Sequence, residues 1–420
     1  MTALWIYLSV FGAFFILGVP VVVALGVAGI ALLLTNQLSF FIFAQQWLMS
    51  TDNYSLTAIF FFMLAGEIMN TGGLTKRIVG LASKLVGKRP GGLAIIVGLG
   101  SMFFAAINGS AIATAAAMGS IMIPAMNDEG YAPEFSGAVV AAGGVVGPII
   151  PPSIPMILYG TITGLSVAKL FAGGMFLGIL IGITQFTISY FVSKKRGYTG
   201  SGKVYGTVHG SIWALLLPVF IFTTISFGVL TPTEASAFSV VYSLIISMWV
   251  YKEMRWKDLP KIIEKSFIST ATVMAVVGAA SVSAWILTSQ QIPQKVAELI
   301  VSIVHTPTQF LLLSFFILIL VGMVMDLTPA VLILAPVFIQ PVAMLGVDPI
   351  HFGIIFVSVL VVGLITPPVG TLIYTSCSMT KRSFIQVSKE LMPYTLASLA
   401  IILLSIFIPP IVTFIPSLIR

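Results

Sequence analysis

Apolar residues run along this chain in long stretches that are separated by short polar or charged segments. Residues 212–229 are almost entirely apolar and lack the alternation of polar and apolar positions that marks the strands of a membrane β-barrel. A helix that crosses a bilayer needs roughly 20 such residues. The pattern therefore predicts an all-α polytopic membrane protein.

The apolar stretches divide the chain into a series of predicted spans. Residues 4–35 are interpreted as one long, tilted span that contains Pro20, and no basic segment or cleavage site marks it as a signal peptide. Single spans are also predicted at residues 54–69, 166–192, 211–230, 234–250, 268–287 and 391–416. Amphipathic or interfacial segments are predicted at residues 36–53, 72–90, 252–265 and 292–304.

Two apolar regions, residues 92–127 and 307–345, do not fit this pattern of single spans. Each holds two apolar segments that are short for a membrane crossing and are joined by a polar tip. Asn108 and Ser110 form the first tip, and Asp326 begins the second. We interpret both regions as re-entrant helical hairpins.

Each hairpin is followed by an apolar span that glycine and proline interrupt. Residues 131–161 contain the sequence GPIIPPS at 147–153, and residues 347–375 contain GLITPPVG at 363–370. Proline lacks an amide hydrogen and clashes with the preceding turn, while glycine relaxes the backbone. Both regions are therefore predicted to be broken transmembrane helices.

The two sets are an internal repeat. Sliding the sequence by 216 residues aligns residues 130–152 with residues 346–368, and 9 of the 23 aligned positions are identical. Six of these nine are glycine or proline, which an apolar bias alone would not align. The sequence therefore predicts two repeats, each with one hairpin and one broken helix.

Charge indicates that the repeats have inverted topology. Residues 71–90 hold five Lys and Arg while the equivalent residues 287–306 hold one, and residues 161–173 hold one while residues 377–389 hold three. Because positive loops stay on the cytoplasmic side, equivalent loops face opposite sides of the membrane. All but three of the 20 Lys and Arg then lie on the predicted cytoplasmic side. The exceptions are Lys169, Lys295 and Arg420.

Composition agrees with a membrane protein. The 420 residues are 58% hydrophobic and 8% charged, whereas a soluble domain has roughly 25% charged residues. The formal charge of +7 lies in the loops, so it predicts no nucleic-acid partner. A single cysteine, Cys377, excludes an internal disulfide.

The tips and breaks predict a binding site near the middle of the membrane. Unwound backbone at that depth is tolerated only against protein or a polar cavity, and paired breaks mark binding sites in transporters. Hydroxyl and amide groups with free carbonyls form a hard-oxygen environment that suits Na⁺. We predict one Na⁺ between the first tip and break, and a second between the second tip and break. The predicted ligands are Asn108, Ser110, Gly147 and Pro151, and Gly322, Asp326, Thr328, Thr366 and Gly370.

The N-termini of the half-helices would direct partial positive charge toward an anionic substrate. Candidate substrate contacts near these termini are Ser110, Thr114, Ser153, Thr328 and Thr371. The competing interpretation is that glycine and proline only kink the spans for packing. The matched pair of breaks beside two polar tips favours the binding site.

Two acidic residues lie inside predicted spans. Asp326 has no Lys or Arg nearby in sequence, and a carboxylate deep in the membrane is usually functional, so we expect it to bind Na⁺ or a proton. Glu67 lies near Lys76 and Arg77, which favours a structural or interfacial role. The chain has no Walker A motif, zinc motif or nucleophile set, so it is not predicted to be an enzyme.

These residues resemble a known family. The sequences NGSAIAT at 108–114 and DLTP at 326–329, together with the two breaks, are similar to the large membrane subunit of the tripartite ATP-independent periplasmic (TRAP) transporters of the ion transporter superfamily. The similarity extends over essentially the whole chain, including FMLAGEIM at 62–69. The chain looks most similar to the sialic acid members.

The resemblance implies a function and partners. It implies Na⁺-coupled uptake of an organic acid, of the sialic acid or C4-dicarboxylate type, across the bacterial inner membrane. The expected partners are a small four-helix membrane subunit on a separate chain, a periplasmic substrate-binding protein that delivers the substrate, and the lipid bilayer. Na⁺ is the expected coupling ion.

The resemblance also implies an elevator-type fold, in which a transport domain slides against a scaffold. On this basis residues 1–91 form scaffold helices and an amphipathic arm, and residues 92–193 form the transport part of the first repeat. Residues 194–306 form a linking helix, scaffold helices and the second arm, and residues 307–420 form the second transport part with the last helix.

Three other functions remain open from the sequence. A Na⁺- or proton-coupled carboxylate carrier of the same superfamily would work without a periplasmic partner. An intramembrane enzyme using Asp326 would need a second catalytic group at matching depth, and the sequence offers none. A channel is disfavoured because inverted repeats with broken helices are typical of alternating access.

Overall fold

The computed structural model describes residues 2–200 and 202–419, in which every regular element is a helix. The α-helices in chain order are α1 (Thr2–Ile16), α2 (Val21–Thr35), α3 (Phe41–Thr51), α4 (Tyr54–Thr71), α5 (Leu74–Val86), α6 (Gly92–Asn108), α7 (Ala111–Asp128), α8 (Pro133–Val145), α9 (Ile154–Thr163), α10 (Val167–Lys195), α11 (Ser211–Ser226), α12 (Pro232–Ile245), α13 (Leu259–Ser289), α14 (Ile292–Ile303), α15 (Pro307–Gly322), α16 (Leu327–Met344), α17 (Pro349–Gly363), α18 (Thr371–Thr380), α19 (Phe384–Phe407) and α20 (Pro410–Leu418). Five of these helices are long and apolar enough to cross a membrane alone, and two bent pairs raise the number to seven.

Both predicted hairpins and both predicted broken helices are confirmed. Helices α6 and α7 form the first hairpin and α15 and α16 the second. The chain leaves the helical conformation between α8 and α9 and again between α17 and α18, where the repeated proline pairs lie. Glycine and proline end helices locally, which is why the sequence locates these breaks to within a few residues.

The two broken helices run antiparallel to each other. Arg382, just after α18, pairs with Glu134 in the first turn of α8, with 3.7 Å between Nε and Oε2. At the other ends of the same helices, Leu165 lies beside Pro349, because both line one small cavity. The start of one broken helix therefore lies beside the end of the other, as inverted repeats require.

The basic segments collect at one end of the molecule. The Nη2 of Arg196 donates to both carboxylate oxygens of Glu390, at 2.9 and 2.8 Å, so the end of α10 lies beside the start of α19. Arg77 on α5 pairs with Glu253 at 2.6 Å. This grouping agrees with the predicted charge asymmetry; the predicted position of Arg420 lies outside the described residues.

Two predicted spans and one predicted amphipathic segment differ from the structure. Residues 4–35 are not one span, because Gly18 adopts φ +74° and ends α1, and α2 then packs back against α1 after Pro20. Residues 391–416 bend at Pro409 into α19 and α20. Residues 252–265 do not form a separate arm, because α13 runs from Leu259 through the predicted span at 268–287. No glycine or proline lies between Pro260 and Gly278 to stop that helix.

The helices pack as two groups. Helix α4 packs on α12, and α13 packs on α2, α3 and α4; we call α1–α4 and α11–α13 the scaffold group. The hairpins and broken helices pack mainly on each other and on α10, α19 and α20; we call these the hairpin group. The amphipathic helices α5 and α14 contact α6 and α16 respectively, so each lies against one helix of a hairpin.

Candidate functional site

The first hairpin tip is built from three residues with distinct local roles. Gly109 adopts φ +64°, which ends α6 and which side chains disfavour. The Asn108 side-chain oxygen accepts a hydrogen bond from the Ser110 amide at 2.8 Å. Ser110 caps α7, where its hydroxyl accepts from the Ala113 amide at 3.4 Å. The tip therefore holds Asn108 and Ser110 in a fixed arrangement at the start of α7.

Oxygen atoms converge on Gly147 at the start of the first break. A Cβ at this position would lie 2.9 Å from the Ser110 carbonyl oxygen and 3.0 Å from both the Gly144 carbonyl oxygen and the Thr114 hydroxyl. The Thr114 hydroxyl also donates to the Ser110 carbonyl at 2.7 Å. The absence of a side chain at Gly147 thus lets these uncharged hard oxygens approach its backbone closely. The donor set fits a Na⁺ ion.

Two residues predicted for this site have other surroundings. Ser153 is fully buried and caps α9, accepting a hydrogen bond from the Met156 amide at 3.2 Å and donating to the Pro148 carbonyl. The tip meets the break at Pro152, since a Cβ on Gly109 would come very close to the Pro152 carbonyl oxygen. The structure therefore brings Asn108, Ser110, Thr114 and Gly147 together and gives Ser153 a capping role.

The second hairpin meets the second break through backbone atoms. A Cβ on Gly363 would lie 2.4 Å from the Gly322 carbonyl carbon, so the two glycines pack directly against each other. The Met323 carbonyl accepts a hydrogen bond from the Val369 amide at 3.2 Å. Of the predicted ligands, Gly322 therefore lies at the break, and Asp326 and Thr328 line a cavity that Leu364 of the break also lines.

The two hydroxyls predicted at the second break, those of Thr366 and Thr371, differ in their hydrogen bonding. Thr366 donates within its own helical turn, to the Val362 carbonyl at 2.8 Å. The Thr371 hydroxyl is buried with no hydrogen-bond partner. Gly370 adopts φ +56° and caps α18, where a side chain would be strained. Thr371 thus stands at the start of α18 with its hydrogen-bonding capacity free.

The two tips meet in a central cavity of about 170 Å³. Its lining includes Gly109 and Ser110 of the first tip, Asp326 and Thr328 of the second, and Pro148 of the first break. In the described part of the chain, no Lys or Arg lines this cavity or forms an ion pair with Asp326. The first turns of α7 and α16 both begin at this cavity, so the N-terminal ends of two half-helices are directed toward it.

The structure adds residues that the sequence pattern did not indicate. Met63 of α4 and Val273 of α13 close the central cavity from the scaffold group. Glu67 pairs with Lys265 at 2.5 Å and not with Lys76 or Arg77, which are nearer to it in sequence. The bend of 67° between α4 and α5 directs Lys76 and Arg77 away from Glu67. No local signal in the sequence pairs two residues that lie 198 positions apart.

Comparisons with known proteins found a matching family and several similar sequences. A model of the family described as “Tripartite ATP-independent periplasmic transporter, DctM component” matches residues 8–411. The chain is 37% identical to the Escherichia coli 2,3-diketo-L-gulonate TRAP transporter large permease protein YiaN, over 94% of this chain and 95% of the relative. It is 37% identical to the Pseudomonas aeruginosa C4-dicarboxylate TRAP transporter large permease protein DctM, over 88% and 87%.

A third relative and one solved structure are also similar to this chain. The chain is 32% identical to the Vibrio cholerae sialic acid TRAP transporter large permease protein SiaM, over 98% of both chains. These identities do not single out the sialic acid members. The crystal structure of the Alcanivorax borkumensis YdaH transporter matches with a TM-score of 0.68 at 12% identity, covering 88% of this chain and 87% of that one, so the overall fold is shared.

Proposed function

Because this chain belongs to the DctM family, the large membrane components of the tripartite ATP-independent periplasmic transporters, we propose that it carries out Na⁺-coupled uptake of an organic anion. The family is a transporter component and not an enzyme. The observation that supports the coupled mechanism is the central cavity, where both hairpin tips meet beside the oxygen cluster at Gly147. An ion site and a substrate site would then be neighbours.

The relatives suggest the substrate class. Their names state 2,3-diketo-L-gulonate, C4-dicarboxylates and sialic acid, and each of these compounds is a carboxylate. We propose a small carboxylate as the substrate of this chain as well. The N-terminal ends of α7 and α16 would stabilise the carboxylate at the central cavity, with Ser110 and Thr328 as hydroxyl contacts.

The ion would link substrate binding to the Na⁺ gradient. The Ser110 and Gly144 carbonyls and the Thr114 hydroxyl would hold Na⁺, whose charge would attract the substrate carboxylate nearby. Ser110 contributes its carbonyl to the oxygen cluster and also lines the cavity.

The packing of the helices supports an elevator mechanism. The hairpin group carries both tips and both breaks, and it meets α4 and α13 of the scaffold group at the central cavity. Sliding of the hairpin group would carry the site across the membrane, with α5 and α14 as braces. In this proposal the moving transport parts are residues 92–193 and 307–420.

The proposal includes the partners and location expected of the family. A small membrane subunit would pair with the scaffold group, and a periplasmic binding protein would deliver the anion at the bacterial inner membrane. Uptake into proteoliposomes tests the proposal directly. Transport should require both an inward Na⁺ gradient and the binding protein. Uptake without the binding protein would instead favour a stand-alone carboxylate carrier, and uptake without Na⁺ would refute the coupling.

A further inference from the structure

Glu67 and Lys265 form an ion pair within the scaffold group. Glu67 lies on α4 and Lys265 on α13, with 2.5 Å between Oε1 and Nζ. The Glu67 side chain is 22% exposed and the Lys265 side chain 64% exposed. The lysine ammonium is therefore held in place by the carboxylate and remains open to a passing anion.

The pair lies beside the first hairpin tip. Gly66, the residue before Glu67, approaches Asn108 so closely that a Cβ on Gly66 would lie 2.8 Å from the Asn108 Cβ. Two cavities, of about 120 and 290 Å³, are lined by Glu67, Lys265 and Asn108 together. The scaffold group thus presents an ammonium group to the tip that carries part of the proposed site.

These cavities form a line that leads away from the central cavity. The central cavity and the 120 Å³ cavity share Met63 and Ser110. The 290 Å³ cavity then continues past Lys265 to Asn70 and Ser120. Asn70 lies on the last turn of α4, just before the basic helix α5, so the line leads to the basic end of the molecule.

Charge along this line is unevenly distributed. Among the described residues that line the three cavities, Lys265 is the one basic residue, and the acidic residues are Glu67 and Asp326. The N-terminus of a half-helix supplies only about half a unit of positive charge. An anion that leaves the central cavity toward the basic end therefore meets its first full positive charge at Lys265.

We propose that Lys265 binds the substrate anion on its way out of the central cavity and that Glu67 competes with the anion for the ammonium group. This inference rests on the proposed function, since it needs an anionic substrate. When the site is empty, Glu67 keeps the ammonium paired and oriented. When the anion arrives, its carboxylate takes the place of Glu67 as the partner of Lys265, and no residue on the hairpin group has to supply the charge.

Counterflow exchange in proteoliposomes measures this step. Wild-type transporter, with its small subunit, its periplasmic binding protein and an inward Na⁺ gradient, is first assayed for uptake of succinate, N-acetylneuraminate and 2,3-diketogulonate. The concentration of the anion that is taken up is then varied on the side of the basic end. Lys265→Gln should raise the half-saturating concentration on that side at least fivefold, while Lys265→Arg restores it. Lys261→Gln, which removes the same charge one helical turn away from an exposed position, is the matched control and should change it less than twofold.

Glu67→Gln separates binding from a structural role. If Glu67 competes with the anion, this variant lowers the half-saturating concentration, opposite in sign to Lys265→Gln. If the pair only stabilises the fold, both variants lower the thermal unfolding midpoint and impair exchange alike, which would overturn the inference. Equal half-saturating concentrations for Lys265→Gln and Lys261→Gln would also overturn the inference. In that case uptake by the wild-type protein would still support the proposed function. Absence of wild-type uptake of all three anions would reject both.

Discussion

Gly109 lies so close to Pro152 that a Cβ on Gly109 would come within 2.2 Å of the Pro152 carbonyl oxygen. The hairpin tip and the break are therefore built against each other, backbone to backbone. Such contact leaves no room for a side chain, and the φ of +64° at Gly109 independently favours glycine. The first tip and the first break consequently act as one unit.

Substituting Gly109 by alanine should destabilise the protein. The positive φ alone is expected to disfavour alanine by about 1 kcal/mol, and the clash with the Pro152 carbonyl adds to this. Gly130→Ala is the matched control, because Gly130 has φ +79° but nothing within 4 Å of its Cβ position. The thermal unfolding midpoint in detergent should fall further for Gly109→Ala than for Gly130→Ala. Equal falls would show that the close contact with Pro152 does not add to the cost of the substitution.

Substituting Gly147 by alanine should weaken Na⁺ coupling. The added methyl group would press against the Ser110 and Gly144 carbonyls and the Thr114 hydroxyl and displace them. We expect the Na⁺ concentration for half-maximal uptake to rise about tenfold, which corresponds to about 1.4 kcal/mol of binding free energy. Gly26→Ala, in a helix with nothing within 4 Å, serves as the control. An unchanged Na⁺ dependence would place the ion elsewhere.

Asp326→Asn should also alter Na⁺ dependence while the protein stays folded. Asp326 lines the central cavity with Ser110 and has no basic partner among the described residues, so its negative charge is available to a cation. We expect roughly a tenfold rise in the half-saturating Na⁺ concentration. Asp348→Asn removes a charge from an exposed helix cap and should behave as wild type in the same uptake assay. Identical Na⁺ curves for both variants would argue against a second ion site at Asp326.

Glu253→Gln should loosen the attachment of α5. Glu253 pairs with buried Arg77 at 2.6 Å, and the Arg77 guanidinium also lies 3.6 Å from the centre of the Tyr251 ring. A hydrogen bond to a charged group contributes about 1.5–3 kcal/mol, and the glutamine retains only part of it. The thermal unfolding midpoint should fall relative to Glu298→Gln, which removes a carboxylate from an exposed site on α14. A midpoint equal to that control would show that α5 is held by apolar packing alone.

The hairpins and broken helices could be predicted because their signals are local. Proline and glycine act on the turn in which they occur, so the break at residues 147–153 follows directly from the sequence. The meeting of Ser110 with Gly147 followed from the repeat, which placed the tip and the break together. Local chemistry repeated at a fixed offset is thus enough to predict that this tip and this break meet.

The remaining features depend on packing between distant segments. Lys265 comes to the first tip only because α13 packs along α4, and nothing near residue 265 in the sequence indicates this. Likewise, hydropathy over residues 4–35 suggests one span, whereas the left-handed conformation of Gly18 lets the chain reverse. The uniform apolarity of the chain cannot distinguish a long helix from two that fold back on each other.

The inverted topology predicts which side of the membrane each loop faces. In a Cys377→Ser chain, single cysteines at Lys169 and Lys295 should react with a membrane-impermeant maleimide added to intact spheroplasts. Cysteines at Lys195 and Lys381 should react only after permeabilisation, because Arg196 and Arg382 pair with Glu390 and Glu134 at the basic end. All four positions lie at helix ends or in the first turn of a helix, so labelling reports side rather than burial. Labelling of position 195 on intact spheroplasts but not of position 381 would contradict the ion pairs and the topology together.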